Sequence, residues 1–392
     1  MSMNTIKPKK IMVIFGTRPE ATKMCPLVLE LKKYPEWFNV MLVVTGQHRE
    51  QLYQAMENFN LKPDADLSIM KKSQTLAYIT TSAINGLDKL MEDEKPDLVL
   101  VHGDTQTSFC GALTAFYHKI PVGHVEAGLR SFKKYSPYPE EVNRRIVDVV
   151  ADLLFAPTQY SRENLLKEGY KDEQIYVTGQ TAVDAALMGY KKDYKFNAEK
   201  LNEINFNSKR VVMVTAHRRE NYGQPMKQMF KAIRRIAEEN KDVLIVYPVH
   251  LSPVVRETAN EILSGHERIL LLDPIEFNDS VNLQARAHII LSDSGGLQEE
   301  SVVFHKPMVL MRDTSERQEA IKTGAVYLAG TEEKSIYDIT TKLLNDKEFY
   351  RKMAEAKNPF GDGRASERIT NILACHFGFT SEMMCGFDNK CN

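Results

Sequence analysis

Ala287-His288-Ile289-Ile290-Leu291-Ser292-Asp293 runs directly into Ser294-Gly295-Gly296-Leu297-Gln298-Glu299-Glu300. The first stretch is an apolar run that reads as a buried strand, and the second has a helical pattern. Ser294 and the glycine pair therefore sit where a strand turns into a helix. A helix start carries unpaired backbone N–H groups and the positive end of the macrodipole, a combination that favours a phosphate. The glycines let that backbone approach an anion closely. Glu299 or Glu300, one turn in, is within reach of a ribose hydroxyl pair. A plain capped helix behind a tight turn fits the same residues, so the surrounding chain has to decide between the two.

Outward from this stretch the same unit recurs. Strands are predicted at 211–215, 243–249, 269–272 and 308–311, with helices over 224–240, 252–263 and 279–285 between them. Upstream, strands are expected at 11–15, 40–45, 98–102, 121–125 and 153–156. Helices are expected from Glu20 to about Tyr34 and over 49–59, 76–92, 108–118 and 143–150. Continuous apolar strands alternating with amphipathic helices indicate parallel sheets covered on both faces. The pattern restarts after residue 180, and residues 191–209 are rich in Lys and Asn, as an exposed segment near a boundary would be. The fold class is α/β, with two Rossmann-like domains and a cleft between them. Ligands of such sheets bind beyond the carboxyl ends of the strands, which directs attention to Arg18, Gly46-Gln47-His48, Asp104, Glu126, His217 and Ser294.

Composition narrows the function classes. Of 392 residues 43% are hydrophobic and 26% charged, as in soluble globular proteins. With 51 basic and 52 acidic side chains the net charge is -1, so the basic excess of a nucleic-acid or anionic-membrane binder is missing. The five cysteines are scattered without a C-x-x-C pair, which suggests neither a disulfide framework nor a zinc site and suits a reducing cytoplasm. No stretch approaches the ~20 apolar residues of a membrane span, and Ile11–Phe15 is too short for a signal segment. No spaced His/Cys/Asp set supports a metal. P-loop and G-x-G-x-x-G patterns are lacking, so no NAD fingerprint is present and no cofactor is expected.

Arg18, in Phe15-Gly16-Thr17-Arg18-Pro19-Glu20, offers a charged fork for a diphosphate, or pairs with Glu20 on the surface. Lys23 faces the same mouth, or is a solvated helix lysine. Asp104 and Glu126 each follow a strand, and Glu140 stands where a loop enters a helix; acidic first-turn dressing is the alternative for Glu140. Carboxylates packed together raise one another's pKa values and allow proton transfer near neutral pH. His102 and His124 read more readily as satisfied core histidines than as catalysts. His217, just past a strand with Arg218 and Arg219 beside it, can donate to a phosphate or belong to a salt-bridged loop. His250 repeats that position after Tyr247-Pro248-Val249.

With these residues quoted, the chain from about 10 to 370 resembles the non-hydrolysing UDP-N-acetylglucosamine 2-epimerases of bacterial type. The resemblance rests on Phe15-Gly16-Thr17-Arg18-Pro19-Glu20-Ala21 with Lys23, Val101-His102-Gly103-Asp104-Thr105 and Gly123-His124-Val125-Glu126-Ala127-Gly128-Leu129-Arg130. Further matches are Tyr135–Glu141 with Asn143-Arg144, His217-Arg218-Arg219-Glu220-Asn221, Asp293-Ser294-Gly295-Gly296 with Gln298-Glu299-Glu300, and Arg312-Asp313-Thr314. It implies glycosyltransferase-B architecture, with an N-terminal domain over 1–180 to which about 371–392 cross back and a UDP-binding domain over 181–370. It also implies a homodimer, and interconversion of UDP-GlcNAc and UDP-ManNAc without cofactor or metal for cell-surface polysaccharide synthesis. Carried over by motif, Asp104, Glu126 and Glu140 form the acid–base group, supported by Lys23, Arg144 and His217. Arg18, Ser294, Gly295 and Gly296 hold the diphosphate and Glu300 the ribose.

A second UDP-GlcNAc acts as an activator in relatives, and Gln47, His48, Glu140, Arg218 and His250 match that site. Glu50 and Ser73 depart from it, a serine being no substitute for an arginine's two-point grip on phosphate. Gln180, Gln318 and the Ser301–His305 turn also depart from the family pattern, and are expected near the second-domain cleft. A 2-epimerase of a C3-modified UDP-sugar, a hydrolysing epimerase, a glycosyltransferase of the same architecture and a UDP-sugar-binding subunit are the competing readings. From Thr380 onward the tail is expected to be disordered or crudely packed.

Overall fold

The computed structural model describes residues 7–46, 49–71 and 74–387, with Arg49 described in its backbone only. Gln47, His48 and Ser73, and so part of the expected activator site, lie outside the described residues. Two compact units emerge. One is formed by the chain up to Met188 together with the chain from Phe360 on, the other by Gly189–Pro359.

In the first unit the strands are β1 (Lys9–Phe15), β2 (Phe38–Val44), β3 (Ala65–Asp66), β4 (Leu98–His102), β5 (Val122–Val125), β6 (Leu153–Ala156) and β7 (Ile175–Val177). Among the described residues they form one sheet in the order β3-β2-β1-β4-β5-β6-β7, every neighbouring pair parallel. Ile11 to Phe15 and Leu98 to Val101 have no exposed surface, as expected of strands covered on both faces. Covering helices run over Arg18–Leu31, Leu76–Glu94, Gln106–Tyr117 and Glu140–Val150.

The C-terminal helix Ala365–His376 belongs to this unit. Its start is fixed by the Asp184 carboxylate, which accepts from the Ala365 and Ser366 amides at 3.2 and 2.7 Å, while Gln180 N donates to Phe360 O at 2.6 Å. The chain therefore divides at the end of the Thr181–Gly189 helix, and returns before the expected residue 371. The tail departs from the sequence expectation as far as Phe387. Phe387 N donates to Val177 O at 2.9 Å and Met384 N to Asn371 Oδ1 at 2.6 Å. Cys25, Cys110 and Cys375 carry free thiols, but Cys385 is disulfide-bonded, contrary to the expectation of cysteines without bridges.

The second unit contains β8 (Arg210–Thr215), β9 (Val243–Pro248), β10 (Ile269–Leu272), β11 (Ile289–Ser292), β12 (Met308–Leu310) and β13 (Val326–Leu328). Their order is β10-β9-β8-β11-β12-β13, again parallel throughout. The Gln224–Glu239 helix shows why this sheet is covered. Met226, Met229, Phe230, Ile233, Ile236 and Ala237 recur at helical spacing and are all buried.

Both sheets reverse their winding direction at one place, between β1 and β4 and between β8 and β11. A doubly wound sheet opens its ligand crevice there. Arg18 and Asp104 follow the strands flanking the first reversal, and His217 and Ser294 follow those flanking the second.

Candidate active site

In the first unit the turn after β1 is built by Glu20. Thr17 and Glu20 form a capping box at the start of the Arg18–Leu31 helix. The buried Glu20 carboxylate accepts from Gly16 N at 3.1 Å, Thr17 N at 2.9 Å, Thr105 Oγ1 at 2.7 Å and Ser108 Oγ at 2.9 Å. Burial raises its pKa against the pull of these donors. Glu20 is thus turned inward, tying the β1 turn to the β4 turn, and surface pairing with Arg18 is excluded. Arg18 is exposed, and its guanidinium makes no hydrogen bond or ion pair among the described residues, while its carbonyl accepts from Thr22 Oγ1 at 3.1 Å. Gly16 is required because a Cβ there would lie 2.2 Å from the hydroxyl oxygens of Thr45 and Thr107.

Asp104 and Glu126 stand beyond the neighbouring strands β4 and β5. Arg144, on the Glu140–Val150 helix, is ion-paired with Asp104 and lies 3.3 Å from Glu141 Oε2. Asn143 Nδ2 donates to the Asp104 carbonyl at 3.0 Å. Glu126 is ion-paired with Lys23, and Gln180 Nε2 donates to the same carboxylate oxygen. These contacts set a cation against each acid, so the mutual repulsion expected from the sequence is offset.

Glu126 has a φ of 72°, a left-handed conformation that costs a side-chain-bearing residue on the order of 1–3 kcal/mol and that clusters at functional sites. Its amide and that of Ala127 both donate to Phe155 O at 3.1 Å. Glu140, at the helix start, has one buried carboxylate oxygen without a hydrogen-bond partner among the described residues.

The two strand histidines differ. His124 is fully satisfied, with Nδ1 2.5 Å from Asp148 Oδ1 and Nε2 donating to Gly103 O at 2.8 Å. Burial works against charge on Asp148, yet His124 and Arg130 outweigh it and hold that carboxyl below its usual range. His102 has no such partner for Nε2.

In the second unit Asp293, the residue after β11, is fully buried. It accepts from His217 N at 3.0 Å, Arg218 N at 2.8 Å and Asn221 Nδ2 at 3.1 Å, fixing the loop after β8 against the turn after β11. The rings of His217 and His250 stack at 5.4 Å between centroids. Burial lowers the His217 pKa, with His250 and Arg218 acting the same way against Asp293. Ser292 Oγ accepts from Ser294 N at 2.9 Å.

A Cβ on Gly295 would lie 2.8 Å from Glu316 Oε1 and 3.1 Å from an Arg218 nitrogen, whereas one on Gly296 meets open space. The glycine pair thus leaves a helix start open for an anion, with Arg218, His217 and His250 gathered beside it. Beneath it, Glu316 is held at about 2: burial pushes it up, but Arg317 and Arg312 prevail. Glu300 is half-buried and accepts from Gln284 Nε2 at 2.8 Å, while Glu299 is buried against Arg317 at 2.7 Å.

Glu20, Asp293 and Gln180 were not among the site residues expected from sequence. The first two were legible as acids at a capping box and at a strand end. Gln180, expected near the second-domain cleft, donates to Glu126 in the first unit. Among the described residues no group of three or more His, Cys, Asp or Glu side chains is arranged to hold a metal ion, and no helix is long and apolar enough to cross a membrane.

Known proteins resemble the chain over nearly its whole length. The family model described as UDP-N-acetylglucosamine 2-epimerase matches residues 30–374. The UDP-N-acetylglucosamine 2-epimerase of Bacillus subtilis (strain 168) is 51% identical over 385 residues, spanning 98% of this chain and 100% of its own. A crystal structure of a UDP-N-acetylglucosamine 2-epimerase has a TM-score of 0.88 at 50% identity, covering 97% of this chain and 100% of that one. The UDP-GlcNAc 2-epimerase from Neisseria meningitidis, solved bound to UDP-GlcNAc, has a TM-score of 0.86 at 44% identity, covering 93% and 100%.

Proposed function

The chain belongs to the UDP-N-acetylglucosamine 2-epimerase family, and from that membership we propose that it interconverts UDP-GlcNAc and UDP-ManNAc by elimination and re-addition of UDP. The C2 hydrogen of the sugar has no neighbouring carbonyl to acidify it. Breaking the C1–O bond to UDP creates cationic character at C1, and loss of the C2 proton anti to the leaving group gives 2-acetamidoglucal. A proton then returns to C2 on the opposite face and UDP re-adds at C1. A positioned base contributes ~10²–10⁴ in rate.

Asp104, Glu126 and Glu140 form the acid–base group in this reading, with Lys23 and Arg144 holding two of them. Arg18, His217, Ser294, Gly295 and Gly296 receive the diphosphate, whose developing charge preorganised donors stabilise. Glu300 holds the ribose. What carries the reading is the pair of carboxylates beyond β4 and β5, each set against its own cation, Arg144 for Asp104 and Lys23 for Glu126. Proton removal from one sugar face and delivery to the other need two such groups.

The reading extends to a homodimer in the cytoplasm that supplies a cell-surface polysaccharide pathway. It also includes a second UDP-GlcNAc as activator, for which Glu140, Arg218 and His250 are the described candidates. Incubation with UDP-GlcNAc in deuterated water tests the reaction. The expected result is deuterium at C2 of UDP-ManNAc. Free ManNAc and UDP would mark a hydrolysing enzyme, and no exchange without an acceptor would mark a transferase. Exchange confined to a C3-modified UDP-sugar would move the substrate assignment.

A further inference from the structure

His102 ends β4, two residues before Asp104, and is 4% exposed. Its Nε2 has no hydrogen-bond partner among the described residues, although buried polar atoms are nearly always paired. That nitrogen stands 3.7 Å from Glu126 Oε2, the oxygen to which Lys23 and Gln180 already donate. The other strand histidine cannot take this place, because both nitrogens of His124 are committed to Asp148 and to Gly103 O. Burial pushes the His102 ring down to about 4; Lys23 and His124 act in the same direction, and Glu126 and Asp104 oppose them. The ring is therefore neutral at neutral pH and carries one N–H donor and one lone pair. A shift of about 1 Å brings the pair to hydrogen-bond distance.

We infer that His102 is a positioning residue for Glu126, its neutral ring closing through Nε2–H onto the carboxylate during turnover as a further donor beside Lys23 and Gln180. The contact holds the carboxylate in one orientation and favours its charged form until it exchanges a proton with the sugar. An uncharged donor suits this place. A second cation beside Lys23 would hold the carboxylate too firmly to accept a proton, and an apolar side chain would take one donor away from those that orient it. The inference rests on the acid–base group proposed above.

The test compares His102→Phe, which removes the donor, with His102→Gln, which keeps one, in the full-length enzyme assayed by C2 deuterium exchange across pH. For His102→Phe, kcat is expected to fall about tenfold or more, the order of a lost hydrogen bond to a charged group. KM should stay within about threefold. The acid limb of kcat should move about one pH unit higher, because a carboxylate stripped of a donor binds its proton more tightly. His102→Gln should restore kcat to within a few-fold and return the limb. Where the Phe variant does not fold, His102→Leu against His102→Asn makes the same comparison.

Wild-type kcat and limb in the donor-less variant overturn the inference, as does equal loss in both variants with an unmoved limb. Glu126→Gln separates the two levels. If it retains full exchange, the acid–base reading falls. If it abolishes exchange while the donor-less variant behaves as wild type, only the role of His102 falls.

Discussion

The Lys23 ammonium and the Glu126 carboxylate, 103 residues apart in the chain, form an ion pair with side chains only 13% and 7% exposed. The pair joins the helix after β1 to the end of β5, spanning the point where the first sheet reverses direction. Lys23 stands on a helix whose start Thr17 and Glu20 fix, and Glu126 follows β5 in a left-handed backbone conformation.

Removing one partner of a buried pair leaves the other charge uncompensated, at a cost of about 3–5 kcal/mol. Lys23→Met is therefore expected to lower the urea midpoint of unfolding and to reduce kcat by about 100-fold or more. Uridine diphosphate affinity, measured by calorimetry, should stay within a few-fold, because the proposed diphosphate contacts do not include Lys23. Wild-type kcat in a folded Lys23→Met enzyme would remove the pair from the chemistry.

Asp104→Asn probes the neighbouring acid. Asn143 donates to the Asp104 carbonyl, a contact that the substitution keeps, and Arg144 loses its charged partner at Asp104 but retains Glu141. Exchange of deuterium into C2 is expected to vanish while uridine diphosphate affinity changes by no more than a few-fold. Unchanged turnover would take Asp104 out of the acid–base group.

Residues at strand ends were readable from the sequence for a physical reason. Apolar runs such as Leu98–Val101 and Ile289–Leu291 define where a parallel strand stops, and whatever follows lies at the ligand-binding edge, which is how Asp104, Glu126, His217 and Ser294 could be found. Ala65–Asp66 and Val326–Leu328 are too short to show any periodicity, and their places were not legible. The contact of Gln180 with Glu126 was not legible because it depends on tertiary closure, the chain being held there by the Phe360 carbonyl far along the sequence. The tail was misjudged for a similar reason. Its polar composition gives no hint that Phe387 pairs with β7 or that Asn371 binds it with both side-chain atoms.

Asp293 organises the second unit's loop without being a phosphate ligand in the proposal. It accepts from two consecutive backbone amides and from Asn221, and charged acceptors of this kind are worth about 1.5–3 kcal/mol each. Asp293→Asn keeps the volume but removes the charge and sets an amide N–H against these donors. The His217–Arg218 loop is expected to loosen, weakening uridine diphosphate binding by about 10- to 100-fold. Unaltered affinity by calorimetry would show that the loop does not need this carboxylate.

His288 is expected to make the second unit sensitive to acid. Its ring stacks on Tyr350 at 4.4 Å between centroids, and burial, with help from Arg210 and Lys306, pushes its pKa down to about 4. In the unfolded chain a histidine titrates near ~6.5. Between these values the unfolded state binds the proton and the folded state does not, so stability rises with pH across the window. The neutral ring's contribution is fully present above about 6.5 and is lost as pH falls toward 4. The urea midpoint should therefore drop between pH 7.5 and pH 5 in the wild-type protein. His288→Phe keeps a flat ring against Tyr350 and cannot titrate, so its drop over the same interval should be smaller. An equal drop in both proteins would assign the acid sensitivity to other groups, of which His102, depressed in the same direction within the first unit, is the next to substitute.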